Sequence, residues 1–422
     1  MKYKKYNQNS YDIYTIETDK FKNCYMEIRF RQDIRHVNVT RRHLLARAMQ
    51  YSSLKYPTKR EMTIALEELY NLGFSSDVFR VGYNHFTSFA IDFLHPKFVN
   101  DKKYLKEVLN FFFEVLTHPN VKEGNFDNRS ITILKENLHA TLDQYKERPL
   151  SFARIDSLQR IFRGSVSGER ILGTHEDLDT ITNEELVFEY KELFENARCE
   201  ILLIGDLDMD CLVKEISDIF YKPSIVLETV PDFISNPIES FKEERILSTY
   251  NQTQLLCYYQ FKEITSYEKN FVSPIFSRIF GSADMTDKLS VYLRIQNSLC
   301  YYCGFSLSFS DSYGLVFVGL NKKEVKKAKE MIEKAMKEML KGKIDKEYFE
   351  QQKEKFLADL KIREDDIYGL IDTYYFHEVF GKAFYEEYYE KLPKVTIEDL
   401  QNFAKKLELT YCYVLEEGES NA

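Results

Sequence analysis

The chain has 422 residues, of which 44% are apolar and 30% charged, and its formal net charge is −9. That is enough length for two or three domains with a real core and a composition far from disorder. A nucleic-acid binder shows a basic face or a basic total. Neither is evident here, since the Lys run in 321–341 alternates with Glu as a solvated helix face does.

Gly (15) and Pro (9) are sparse, so regular elements should dominate. The first ten residues lack the apolar stretch of a secretory signal, and no segment reaches about 18 apolar residues. Seven scattered cysteines read as reduced thiols. The expectation is a cytoplasmic protein that binds neither nucleic acid nor membrane.

In chain order, alternation predicts strands at Tyr11–Ile16 and Cys24–Phe30, then helices from Arg41 to Tyr51 and from Lys59 to Leu72. Strands Gly73–Val81 and Phe86–Phe93 follow, with Val78, Arg80, Phe86, Ser88 and Ala90 expected to face the core together. A long helix spans Lys102–Leu116. Thr182 with Glu185 makes a capping box before another helix, and Cys199–Asp206 closes the half as an apolar strand. The second half repeats this grammar: strand Gln254–Phe261, helices Phe271–Phe280 and Lys288–Asn297, strands Tyr301–Phe309 and Gly314–Leu320, helix Lys322–Leu340, cap Thr396 with Asp399, strand Thr410–Leu415. A unit of about 200 residues is thus written twice. The predicted fold is α+β, two homologous repeats, each a mostly antiparallel sheet with helices on one face. Expected boundaries are 1–221, a linker at 222–245, and 246–422.

Cys300 and Cys303 form a C-x-x-C, but their flanks read as a strand. The two thiols should then face opposite ways and be buried and inert.

The duplicated grammar, with Lys59-Arg-Glu-Met, Arg129–Asn137, Leu172–Leu186 and Gly281–Arg294 in that order, resembles the insulinase/pitrilysin family of zinc peptidases over nearly the whole chain. Within it, the sequence looks like the short bacterial proteins associated with elongation factor P 5-aminopentanol modification. Those occur in pairs, one partner with the metal motif and one without.

The resemblance implies a zinc site of the form H-x-x-E-H on a helix, with a downstream Glu as third ligand. Counting back from the matching helix, the motif falls on Leu44-Leu-Ala-Arg-Ala48. Leu44 and Ala48 stand where the imidazoles should be, and Arg47 stands where the general base should be. Glu136 matches the third ligand but reads equally as a surface charge. His43 is one position out of register, about 100° around the helix, and reads as a cap-side or partner-contact residue. Arg47 is expected in an ion pair that replaces the metal's charge. No metal or other cofactor is expected in this chain; zinc is expected in a partner subunit.

The same family carries an Arg and, seven residues later, a Tyr that hydrogen-bond the substrate's backbone carbonyl from the opposing half. Arg294 and Tyr301 have that spacing. Their bland alternative is a solvated helix-end cation and a sheet residue. The family's Gly between them is Ser298 here. Losing one set and keeping the other implies a non-catalytic subunit of a heterodimeric zinc metalloendopeptidase. Its partner would be a paralogous H-x-x-E-H subunit, and its substrate an extended peptide added to a sheet edge at 73–93 or 301–320. The alternative is a peptide-binding or structural scaffold with no part in cleavage. A hydrolase using other chemistry finds no G-x-S-x-G elbow or phosphate loop to support it.

Overall fold

The computed structural model describes residues 1–8, 10–223, 229–236 and 240–418. The chain forms two compact units, one of Met1–Gln144, Arg170–Asp232 and Ile367–Tyr375, the other of Tyr145–Glu169, Phe233–Asp366 and Phe376–Ala422.

Strands of the first half are β1 (Lys2–Asn7), β2 (Tyr11–Glu17), β3 (Asn23–Asp33), β4 (Gly73–Val81), β5 (Asn84–Leu94), the short β6 (Val121–Lys122) and β7 (Asn125–Phe126), and β8 (Arg198–Gly205). Its helices are α1 (Val39–Tyr51), α2 (Lys59–Glu68), α3 (Tyr104–Thr117), α4 (Asn128–Glu147), α5 (Pro149–Ile161), α6 (His175–Thr180), α7 (Asn183–Asn196) and α8 (Met209–Ile219). The second half has β9 (Lys242–Leu247), β10 (Thr253–Gln260), β11 (Cys300–Ser308), β12 (Tyr313–Leu320) and β13 (Glu408–Glu416). Its helices are α9 (Ser273–Gly281), α10 (Lys288–Ser290), α11 (Val325–Leu340), α12 (Lys346–Arg363), α13 (Ile367–Phe380), α14 (Tyr385–Lys391) and α15 (Ile397–Lys405). Capping boxes open α2 at Thr58, α7 at Thr182 and α15 at Thr396, each satisfying backbone donors that the first turn leaves free.

In the first unit the sheet runs β1-β2-β8-β3-β5-β4. β2 and β8 are parallel and every other neighbour antiparallel. One face lays Met26, Ile28, Phe30, Phe89 and Ile91 against Leu45 and Met49 of α1 and Phe112 of α3. The other face is polar yet buried. There Arg29 pairs with Glu27 and Asp372, and the Tyr375 hydroxyl donates to Glu200. Covered on both faces, Cys199–Gly205 of β8 is buried throughout, which is why it reads as an apolar run broken only by Glu200.

In the second unit the sheet runs β11-β12-β10-β13-β9, with β9 parallel to β13 and the rest antiparallel. α5 packs Ala153 on Leu256, Tyr258, Tyr411 and Tyr413. Its Ser157 hydroxyl lies 2.5 Å from that of Tyr258, and the Tyr413 hydroxyl donates to Asp156 at 2.6 Å. Set β1 aside and the connectivity is the same twice, β2, β3, β4, β5, β8 answering to β9, β10, β11, β12, β13. The duplication extends to an exchange: α5 from the first half joins the second unit, and residues 367–375 of α13 join the first.

Several expectations need correction. Of the expected linker 222–245, residues 224–228 lie outside the described residues, as do 237–239, and residues 242–245 are already β9 strand. The sequence of β9, Lys-Glu-Glu-Arg-Ile-Leu, hides the strand because it lies at a sheet edge where charged side chains stay wet. Nor is the stretch between a loose tether. In the first unit, Tyr83 donates its backbone N–H to Pro231 O at 3.0 Å, and Gly82, at φ +59°, leaves no room for a Cβ against Asp232. In the second, Ile234 N donates to Ser310 O at 2.8 Å, so the crossing segment is pinned to both hairpin turns.

The face assignment at 73–93 also fails. The two-residue turn Gly82-Tyr83 pairs Val78 with Thr87 and Phe79 with Phe86, so even positions of β4 share a face with odd positions of β5. Val78 and Phe89 join the main core, while Phe86 turns to the other face and meets Tyr375. Finally, a bulge between Cys300 and Tyr302 breaks strict alternation. It brings both thiols together instead of opposing them; their mutual hydrogen bond, then burial, pushes the Cys300 thiol up. All seven cysteines are free.

Candidate functional site

Helix α1 opens on Asn38, whose side chain accepts from Arg41 N. Leu44 is 0% exposed and Ala48 3%, and both sit in the first unit's core with Leu45 and Met49. Four apart, they share a face, and hydrocarbon fills the place where a pair of imidazoles would point. Among the described residues Arg47 is in no ion pair, contrary to expectation. Its Nη1 donates to the Ser76 carbonyl of β4 at 3.0 Å, with Gln50 Oε1 at 3.4 Å, and Gln50 Nε2 donates to Phe74 O at 3.0 Å. The residue at the general-base position therefore fastens α1 to the sheet's edge strand. Glu136 is exposed on α4 and makes no hydrogen bond or ion pair among the described residues. Among the described residues, no group of three or more His, Cys, Asp or Glu side chains could hold a metal ion. A cavity of about 620 Å³ lies at the far end of α1, lined by Tyr51, Lys59, Asn120 and Arg129, and none of the four degenerate positions borders it.

His43 is a core residue, not a partner contact: it is 2% exposed, and its Nδ1 meets the Leu172 carbonyl at 3.1 Å. Burial pushes its pKa down. His85 on β5 is 0% exposed and pushed down to about 3, by burial first and then by Arg42, His43 and Arg80. Arg42 is itself buried and reaches Glu189 at 2.7 Å.

The second unit holds Arg294 and Tyr301. Arg294 lies in a π-helical turn, Val291–Ile295, and its exposed guanidinium donates to the Met285 sulfur at 3.5 Å. The helix ends in a left-handed turn one residue wider than a Schellman motif: Leu299 N donates to Leu293 O at 2.7 Å, Ser298 N donates to Arg294 O at 3.1 Å, and Ser298 has φ +51°. The left-handed position a glycine would favour is thus kept without the glycine. Tyr301 follows in the bulge of β11, an edge strand, and is 60% exposed. β4 is likewise an edge of its sheet. The turn sets both side chains free to solvent, one a cation and one a phenol. Both types donate hydrogen bonds to a carbonyl oxygen.

One cluster escaped the reading of single motifs. His139 and Asp143 on α4 face His175 and Asp179 on α6. The two Nδ1 atoms are 2.7 Å apart, His139 Nε2 is 3.0 Å from Asp179, and His175 Nε2 is 3.1 Å from Asp143. The signal was present as two His-x-x-x-Asp pairs at helical spacing, 36 residues apart.

Residues 180–356 match the family described as the peptidase M16 inactive domain. Over 411 residues, 96% of this chain and 95% of the relative, the sequence is 21% identical to the probable inactive metalloprotease YmfF of Bacillus subtilis (strain 168). Among solved structures it resembles a conserved protein from Enterococcus faecalis V583, with a TM-score of 0.93, 24% identity and 100% of each chain covered. It also resembles a peptidase M16 inactive domain from Pseudomonas fluorescens, with a TM-score of 0.80, 15% identity, and 100% of this chain and 99% of that one covered. The chain has the insulinase-like M16 fold, and its relatives are those of a non-catalytic, peptidase-like protein.

Proposed function

We propose that the chain is the non-catalytic subunit of a heterodimeric zinc metalloendopeptidase in the cytoplasm. A paralogous H-x-x-E-H subunit brings zinc and the general base; this chain brings Arg294 and Tyr301. The observation that carries the reading is the contrast between two sets of positions. Leu44 and Ala48 are sealed into a core, while Arg294 and Tyr301 are exposed on a turn whose left-handed geometry survives the loss of its glycine.

In the mechanism, the peptide binds as an extended strand along an exposed sheet edge, where backbone hydrogen bonds give affinity with little demand on sequence. Arg294 and Tyr301 then donate to the scissile carbonyl oxygen and support the charge that develops there. The partner's H-x-x-E-H residues would hold the zinc, which when bound would supply polarisation of that carbonyl and a lowered pKa for a bound water. This chain moves no proton; it holds and orients the peptide. A place beside elongation factor P modification rests on the sequence resemblance alone.

The test is to purify the chain alone, an H-x-x-E-H paralogue alone, and the two together, and to follow cleavage of an unstructured fluorogenic peptide. Cleavage confined to the mixture, with the two chains eluting as one complex, supports the reading. An absent complex, or a paralogue fully active by itself, refutes it.

A further inference from the structure

Cys257 of β10 and Cys412 of β13 face each other inside the second sheet. The register pairs them directly, between Leu256 with Tyr413 and Tyr258 with Tyr411. Each residue is 2% exposed, and their sulfur atoms are 3.2 Å apart. Opposed residues of an antiparallel pair have Cα atoms about 4.5–5.5 Å apart, inside the span of about 4.4–6.8 Å that a disulfide bridges. The sulfurs need to close only from 3.2 Å to about 2.0 Å, a small side-chain rotation that leaves the ladder in register.

The surroundings give the two thiols different roles. Their hydrogen bond lowers the pKa of Cys412 and raises that of Cys257, which burial raises further. At Cys412 burial and Glu243 of β9 oppose the lowering, and Lys329 of α11 supports it. Cys412 is thus the readier thiolate, and the thiolate is the nucleophile.

We propose that Cys257 and Cys412 are an oxidative modification site, converted by a hydroperoxide into a reversible disulfide that ties β13 to β10. The Cys412 thiolate attacks the O–O bond of the peroxide. An S–O bond forms, and the departing oxygen takes up the proton that Cys412 released. The Cys257 sulfur then displaces the remaining oxygen from the sulfenic acid, and the Cys257 proton leaves with it. Two thiols lose two electrons and two protons, and hydrogen peroxide gains them to leave as two waters. The loop so closed, from 257 to 412, holds most of the second unit, and long loops gain most from closure. The inference departs from the expectation that the cysteines are only reduced thiols. It owes nothing to the shared-site reading, because Arg294 and Tyr301 take no part in the chemistry.

The experiment uses the full chain carrying Cys211→Ser, so that an exposed thiol does not compete. The folded protein is treated with hydrogen peroxide, unfolded in an alkylating reagent, and mapped by mass spectrometry without reduction. The expected result is a disulfide joining the Cys257 and Cys412 peptides and a Tm raised by about 5–10 °C. Dithiothreitol should reverse both. Cys412→Ala should show neither the link nor the rise, with circular dichroism establishing that it is folded. The peptide map of the Cys211→Ser chain decides the matter even where that variant fails to fold. Cys257 and Cys412 both still alkylated after peroxide would overturn the proposal. So would either one found as a sulfinate or joined to a different cysteine.

Discussion

In α1, two positions that the family resemblance assigns to metal ligands hold Leu44 and Ala48, buried with Leu45 and Met49 in the first unit's core. In the second unit, the turn from Arg294 to Tyr301 keeps both side chains in solvent and keeps a left-handed residue at Ser298. The two regions have drifted under different constraints. At Leu44 and Ala48 apolar packing is the stable arrangement, since unpaired buried polar groups cost free energy. Arg294 and Tyr301 are exposed, so fold stability places little demand on them and does not by itself explain their presence. An Arg and a Tyr on a strained turn are therefore better evidence of use than buried residues would be.

The comparison can be broken by restoring the metal motif. Leu44→His with Arg47→Glu and Ala48→His puts two imidazoles into a packed helix face, exchanges a guanidinium for a carboxylate and removes the hydrogen bond from Arg47 to Ser76. The expected loss is roughly 3–5 kcal/mol of unfolding free energy in denaturant titration, with or without zinc. A variant as stable as the parent would show that this face is not closed.

A smaller effect comes from the histidines beneath that helix. His85 protonates in the folded chain only at about 3, whereas in the unfolded chain it does so near 6.5. Between those values the unfolded state holds more protons, so stability contributed by the neutral ring is full above about pH 6.5 and falls with pH. The slope is about 1.4 kcal/mol per pH unit for one such group. His85→Leu should flatten the stability–pH curve by about that slope between pH 6 and pH 4, measured by urea unfolding.

The smallest effect sharpens the other side. Ser298→Gly relieves a left-handed non-glycine residue and should stabilise the chain by about 0.5–1 kcal/mol, read as a raised Tm. Peptide cleavage in the mixed complex should be unchanged, because the turn already has the required shape.

How far the sequence was legible depends on burial. The central strands of both sheets were visible because β8 carries the apolar run Ile201–Ile204 and β10 the run Leu255–Tyr259. β9 was missed because an edge strand need not be apolar. Neither α5 nor α13 was anticipated, because each serves the unit its half of the sequence does not build, so local periodicity gives no hint of its partner. The face assignment in β4 and β5 failed on one turn residue, since register decides which side chains share a face. At the candidate site, the absence of H-x-x-E-H was plain in the residues. The hydrogen bond from Arg47 to the edge strand, the bulge at Tyr301 and the His139–His175 pair were not, since each depends on contacts far apart in sequence or on a local break in alternation.

The central claim is that this chain supplies carbonyl-binding groups to a site whose zinc belongs to its partner. Its most direct test is the Arg294→Ala/Tyr301→Phe chain combined with the H-x-x-E-H paralogue. Complex formation, zinc content and kcat for peptide cleavage are measured side by side with the parent. The account predicts an intact complex with its full zinc and a kcat lower by roughly 10²-fold or more, the usual cost of removing oxyanion donors. An intact complex that cleaves at the parent's rate would contradict it and leave this chain a scaffold.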